Sequence, residues 1–242
     1  MEVYRTLRSN LPFILKKDQK VVLFTSAASG EGKTVIASNL SASIAFVGKK
    51  VIVVGLDIRK PRLAGLFDLP DTDKGISNFL SHDPNDVEYI DSLIQNSGVS
   101  PNLDILAAGA IPPNPAELLE RENLGIAIDY LKTKYDYIIL DTAPIGLVSD
   151  TLSVAKYVDA TIFVVRANYT LKADADLINE FSLDGRLPNL NLVFNAVKED
   201  SVARYRYGRY GASRYGYSSK YGYGYGSKSG YGYGTEEKLE EV

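Results

Sequence analysis

At 242 residues the chain is long enough for one α/β domain with an appendage and a sizeable core. It is 45% apolar and 24% charged with a formal net charge of -3, an ordinary globular balance, and no apolar run approaches the ~18–20 residues of a membrane span. It has no cysteine, which excludes disulfides and thiolate metal sites and fits a reducing compartment, and its single histidine, His82 in SHDPND, reads as a loop residue.

In chain order, MEVYRTLRSNLPFIL reads as a helix from the first residues, with no signal-peptide layout. Such a start suits either a cytoplasmic portion of something longer or a small protein that docks on a separate membrane partner. Short apolar runs then follow at VVLFT (21–25), VIVVG (51–55), LDIL (103–106), YIIL (137–140), TIFVV (161–165) and LNLVF (190–194). Continuous rather than alternating apolar character predicts strands buried on both faces of a parallel sheet. Helical stretches between them, such as TVIASNLSASIAFVG with Gly48 as its C-terminal cap, predict a doubly wound, mostly parallel α/β sheet. Ligands are then expected at the carboxyl ends of the strands.

After the first run comes SAASGEGKT, a phosphate loop in which Ala27 stands where the strict pattern has glycine. Glycines let successive amides turn inward around an anion, and the following helix N-terminus adds its dipole. Ser29, Gly30, Glu31, Gly32, Lys33, Thr34 and Val35 are the candidate nucleotide-binding residues. Lys33 would bring charge to the β- and γ-phosphates, and the Thr34 hydroxyl would ligate Mg²⁺. The second run ends in GLDIRKPRL, where Asp57 could accept a proton from an incoming hydroxyl, with Arg59, Lys60 and Arg62 behind it. The run ending in YIILDTAP puts Asp141 beside the phosphate loop if the two strands are neighbours, as an acid that holds Mg²⁺. Lys33, Asp57 and Asp141 are the candidate catalytic residues, and Thr34, Asp57 and Asp141 the candidate metal ligands.

Past about Lys198 the pattern stops, which divides the chain into an ATP-binding domain at 1–200 and a tail at 201–242. Residues 204–234 hold six Arg or Lys and no acid, and no Leu, Ile, Val or Phe, whereas residues 1–203 hold 20 basic and 26 acidic residues. Such a tail cannot bury enough apolar surface to offset its ordering entropy. Its ten tyrosines, Tyr205, Tyr207, Tyr210, Tyr215, Tyr217, Tyr221, Tyr223, Tyr225, Tyr231 and Tyr233, are candidate phosphate acceptors. An acidic body argues against a nucleic-acid partner for the basic tail.

Taken together, these motifs resemble the bacterial tyrosine kinases (BY-kinases) of capsule and exopolysaccharide biosynthesis, P-loop proteins with Walker A, A-prime and B motifs. The resemblance covers nearly the whole chain: EVYRTLR matches the family's E-x-x-R-x-x-R helix at Glu2, Arg5 and Arg8, SAASGEGKT its Walker A, VIVVGLDIRKP its A-prime, IPPNPAELL a family loop, IILDTAPIGLVSD its Walker B region, and the tail its tyrosine cluster. It implies an ATP- and Mg²⁺-dependent autokinase acting on the tail of a neighbouring subunit and regulating polymer export. Glu2, Arg5 and Arg8 would serve ring-like self-association, octameric on the family pattern, and Asn195 would contact the base. Expected partners are a membrane polysaccharide co-polymerase segment, in cis or as a separate adaptor, and a tyrosine phosphatase, at the cytoplasmic side of the bacterial inner membrane.

Two departures matter. Ser29 replaces a common proline, and Gly55 replaces the first aspartate of the A-prime D-x-D, leaving only Asp57. The alternatives are a kinase weakened by that loss and acting as a regulatory binding module, or a ParA/MinD-like nucleotide-switched ATPase. The latter group carries a signature lysine where this chain has Ala28.

Overall fold

The structure, a computed structural model, describes residues 2–148 and 150–198. The ten candidate acceptor tyrosines and the boundary at 200/201 lie outside the described residues.

The chain runs α1 (Glu2–Ile14), β1 (Val21–Ser26), α2 (Lys33–Ala45), β2 (Val51–Gly55), α3 (Leu63–Leu66), α4 (Ile76–Leu80), α5 (Tyr89–Leu93), β3 (Gln95–Asn96), β4 (Leu103–Leu106), α6 (Pro115–Glu120), α7 (Asn123–Lys134), β5 (Tyr137–Asp141), α8 (Asp150–Ala155), β6 (Ala160–Arg166), α9 (Asp174–Leu183) and β7 (Leu190–Asn195). The strands form one seven-stranded sheet in the order β3-β4-β2-β5-β1-β6-β7, parallel except for the β3–β4 pair. All six apolar runs of the sequence are strands. The seventh, Gln95–Asn96, is a two-residue edge strand without apolar character, so no hydrophobic period marks it.

Every residue of β1 and β2 is buried, as expected of strands covered on both faces. Side chains alternate across the sheet. Val22, Phe24, Val51 and Val53 pack with Leu11 of α1 and Ile36, Leu40 and Ile44 of α2. Val21, Leu23, Ile52 and Val54 face Phe79, Leu118, Leu124 and Ile128 on the opposite side. Full burial of each such side chain contributes about 1.5–3 kcal/mol. α2 ends earlier than the sequence predicts, with Phe46 as its C-cap, and Gly48 follows two residues later at φ 84 with its amide on Ala45 O at 3.0 Å, reversing the chain after the helix.

Strand order fixes where the chemistry falls. β2, β5, β1, β6 and β7 are consecutive, so their carboxyl ends deliver Asp57, Asp141, the phosphate loop, Arg166 and Asn195 side by side. Asp141 is in register with Phe24 of β1 and Gly55 of β2. Its carbonyl accepts the amides of Leu56 (2.8 Å) and Asp57 (3.2 Å), fixing the start of the loop that carries Asp57.

Candidate active site

Between β1 and α2 the loop turns on two left-handed glycines, Gly30 (φ 89) and Gly32 (φ 96), a region that side chains with a Cβ adopt only under strain. Gly32 also caps α2, and a Cβ there would lie 2.3 Å from Nδ2 of Asn195. A cleft of about 550 Å³ opens over this loop, within the range of small-molecule sites. Its walls include Ser29, Gly30, Gly32, Lys33, Thr34 and Val35, so six of the seven loop candidates line it. Glu31 is the exception. Its side chain is buried, accepts the Ala28 amide at 2.8 Å and the Thr170 hydroxyl, and does not line the cleft.

Lys33 lies at the floor. Its Nζ is 3.5 Å from Asp57 Oδ2 and 3.5 Å from Asp141 Oδ1. Thr34 Oγ1 donates to Asp141 Oδ2 at 2.8 Å. The three candidate metal ligands and the candidate catalytic lysine therefore converge on one point. Asp141 is buried, and its Oδ1 has no hydrogen-bond partner; the 3.5 Å approach of Lys33 is a charge contact only. Burial pushes the Asp141 carboxyl above the usual aspartate range, Lys33 and the Thr34 bond oppose this, and nearby Asp57 adds to it.

These residues fit a Mg²⁺-nucleotide. Two carboxylates and a hydroxyl already gather around a positive charge, the Lys33 ammonium, and one buried carboxylate oxygen still lacks a donor. Among the described residues no group of three or more His, Asp or Glu converges, so phosphate oxygens and water would complete a metal's shell. Arg59, Lys60, Arg62 and Arg166 add positive charge around the cleft, matching a polyanion, while Pro144, Leu147 and Val148 supply an apolar wall.

Asp150 is a participant that sequence reasoning passed over. It begins α8, is buried, and takes Arg59 in a two-pronged pair, Nε to Oδ2 at 2.6 Å and Nη2 to Oδ1 at 3.1 Å. The segment before it is tied to the sheet: Thr142 Oγ1 donates to Phe24 O (2.9 Å), Ile145 N to Ser26 O (2.9 Å), and Thr151 Oγ1 to Ala143 O (2.8 Å). A Cβ on Gly146 would meet Ala27 O at 2.5 Å, so this segment crosses directly over the start of the phosphate loop. VSD lies within the matched Walker B region, but nothing in its spacing told that its aspartate reaches back to Arg59.

Asn195 lines the cleft, with its amide nitrogen donating to Glu31 O at 2.8 Å. Beside the C-terminal end of α2, Glu2 and Arg5 form an exposed 3.2 Å pair on α1, whereas Arg8 turns inward and donates to Ser43 O at 2.7 Å in the last turn of α2. Two of the three candidate association residues thus face outward, and the third satisfies a carbonyl at a helix C-terminus. Among the described residues no helix is long and apolar enough to cross a membrane.

The chain is similar to proteins already known. A family model described as an AAA domain matches residues 19–183. The chain is 34% identical over 216 residues to the tyrosine-protein kinase CpsD of Streptococcus agalactiae, covering 87% of this chain and 89% of that protein. It is 33% identical over 207 residues to the tyrosine-protein kinase YwqD of Bacillus subtilis (strain 168), covering 85% of each. The kinase domain of the Escherichia coli tyrosine kinase ETK superposes with a TM-score of 0.70 at 28% identity, covering 89% of this chain and 80% of that domain.

Proposed function

This chain belongs to the P-loop family of bacterial tyrosine kinases, and we propose that it transfers the γ-phosphoryl group of ATP to tyrosines in the C-terminal segment of a neighbouring copy. The observation that carries this reading is the convergence of Lys33, Thr34, Asp57 and Asp141 at the ends of three adjacent strands. In the transfer, a bond forms between the tyrosine oxygen and the γ-phosphorus, the bond from that phosphorus to the β-bridging oxygen breaks, and ADP leaves. Asp57, partly exposed at the cleft, takes the phenolic proton. Lys33 moves its charge from the two aspartates to the phosphates, and the loop amides hold them. A Mg²⁺ ion held by Thr34, Asp57 and Asp141 would supply neutralisation of charge on the phosphates. Tyr205 through Tyr233 are the acceptors, and Asn195 borders the base.

By the same reading the protein regulates exopolysaccharide or capsule polymerisation and export. It works as a homo-oligomer through the outward-facing Glu2 and Arg5 of α1, with Arg8 bracing that helix on Ser43 O, beside a membrane co-polymerase segment and opposed by a phosphatase, at the cytoplasmic face of the inner membrane. One observation favours a second reading, a weakened kinase serving as a regulatory module: Gly55 removes the first A-prime carboxylate, so that side of the site rests on Asp57 alone.

Incubation with Mg-ATP followed by phosphotyrosine detection tests the activity. Signal is expected from the unaltered protein and not from Lys33→Met. Equal signal from both would assign the activity to a contaminant, and no signal from either would leave the regulatory module as the better account.

A further inference from the structure

We propose that the turn between β6 and α9 is a latch that shapes the phosphate loop, with Tyr169 and Thr170 as positioning residues that set its affinity for nucleotide. The inference rests on reading that loop as the nucleotide site and adds to it the residues that aim its amides. Three successive loop carbonyls are each taken by a different side chain from the β6 and β7 ends. Tyr169 Oη donates to Ser29 O at 2.8 Å, Arg166 Nη1 to Gly30 O at 2.7 Å, and Asn195 Nδ2 to Glu31 O at 2.8 Å.

A trans peptide carries its N–H opposite its C=O. Drawing the carbonyls of 29, 30 and 31 toward the β6 and β7 ends therefore turns the amides of Gly30, Glu31 and Gly32 the other way, where an anion can collect them. Without outside donors these carbonyls would be free to rotate inward and present negative ends to a triphosphate.

Two further bonds explain why a carboxylate is buried in a phosphate-binding loop. The Glu31 side chain, 1% exposed, receives the Ala28 amide on one oxygen and the Thr170 hydroxyl on the other. Thr170 Oγ1 in turn accepts the Arg166 amide at 2.8 Å, so the turn and the loop share a continuous chain of bonds. The Arg166 guanidinium lies 5.0 Å from the centre of the Tyr169 ring, which holds both donors in place. The loop glycines make room for this arrangement: a Cβ on Gly30 would lie 3.0 Å from Tyr169 Oη.

The test is calorimetric titration of the full chain with Mg-ADP, alongside melting of the nucleotide-free protein. Tyr169→Phe keeps the ring beside Arg166 and deletes only the donor to Ser29 O. Its dissociation constant is expected to rise about 3- to 10-fold, because the freed Ser29 carbonyl must be turned away again on binding, while nucleotide-free melting falls only by the small net worth of one exposed hydrogen bond. Thr170→Val should weaken binding at least as much, and Thr170→Ser, which keeps the hydroxyl, should restore it. In turnover assays KM for ATP should rise while kcat is kept. Unaltered Mg-ADP affinity in both Tyr169→Phe and Thr170→Val would overturn the latch while leaving the nucleotide site intact; failure of the unaltered chain to bind Mg-ADP would instead remove the reading on which the latch rests.

Discussion

Thr34 Oγ1 donates a 2.8 Å hydrogen bond to one oxygen of Asp141, while the other oxygen of that buried carboxylate has no donor at all. A half-satisfied carboxylate is costly in a protein interior, and the Lys33 ammonium at 3.5 Å offsets only part of that cost. Binding a cation at this point would satisfy the group. The expected outcome is a nucleotide-induced rise in melting temperature that depends on the divalent ion. Mg-ATP at a hundred times its dissociation constant should add about 2.7 kcal/mol of stability, and ATP with chelator much less. Asp141→Ala should abolish the difference between the two conditions. A Mg²⁺ increment that survives in Asp141→Ala would place the metal elsewhere.

Arg59 and Asp150 make a second prediction. Asp150 is buried, and its hydrogen bonds hold the Arg59 guanidinium in its charged form, raising its proton affinity further. Asp150→Ala leaves Arg59 without its partner and frees the segment between Asp57 and α3. A stability loss of about 2 kcal/mol is expected, below the ~3–5 of a fully buried pair because the Arg59 side chain is 39% exposed. Phosphotransfer should fall with it. Arg59→Lys should not recover the wild-type value, since an ammonium cannot make the two-pronged contact. Denaturant melts of the three proteins decide the matter.

Gly55 bears on the question of a weakened site. A Cβ there would lie 3.1 Å from Ala108 N and 3.3 Å from Leu63 Cδ2, inside a fully packed strand end. Installing the family's aspartate therefore asks the β4 end and α3 to move. Gly55→Asp is expected to cost about 1–3 kcal/mol, as overpacked cores do, and not to raise the phosphotransfer rate. A variant that melts like the parent and works severalfold faster would show that the backbone accommodates the carboxylate and that its loss does impair the native enzyme.

Six of the seven strands were legible as short apolar runs, and the phosphate loop because glycine, lysine and threonine at fixed spacing have few other uses. Asp141 could be placed beside that loop once β5 and β1 were taken as neighbours, since both strands end at the same edge. What stayed hidden depends on long-range side-chain contacts. Glu31 counts as a loop residue in any motif, yet its carboxylate faces Thr170, 139 positions later. Asp150 and Tyr169 are polar residues in ordinary-looking segments, and only the folded chain brings them to Arg59 and Ser29. Arg8 belongs to a surface motif by pattern, but the packing of α1 on α2 spends it on Ser43 O.

The last prediction concerns charge. Residues 204–234 carry six basic residues and no acid, against an acid excess in the preceding 203. Attraction between a cationic tail and a partner's acidic body should assist association, and it should weaken as salt rises. Each phosphotyrosine adds about -1.5 to -2, so four of them, about -6 to -8, cancel or invert the tail's charge. Assembly should therefore weaken stepwise with phosphate count rather than at one critical site. Sedimentation velocity on preparations separated by phosphate number would read this directly, with mass decreasing in graded fashion at low salt. If the fully phosphorylated and unphosphorylated chains sediment alike at low salt, tail charge does not govern assembly, and phosphorylation of the candidate acceptor tyrosines would have to act through some other contact.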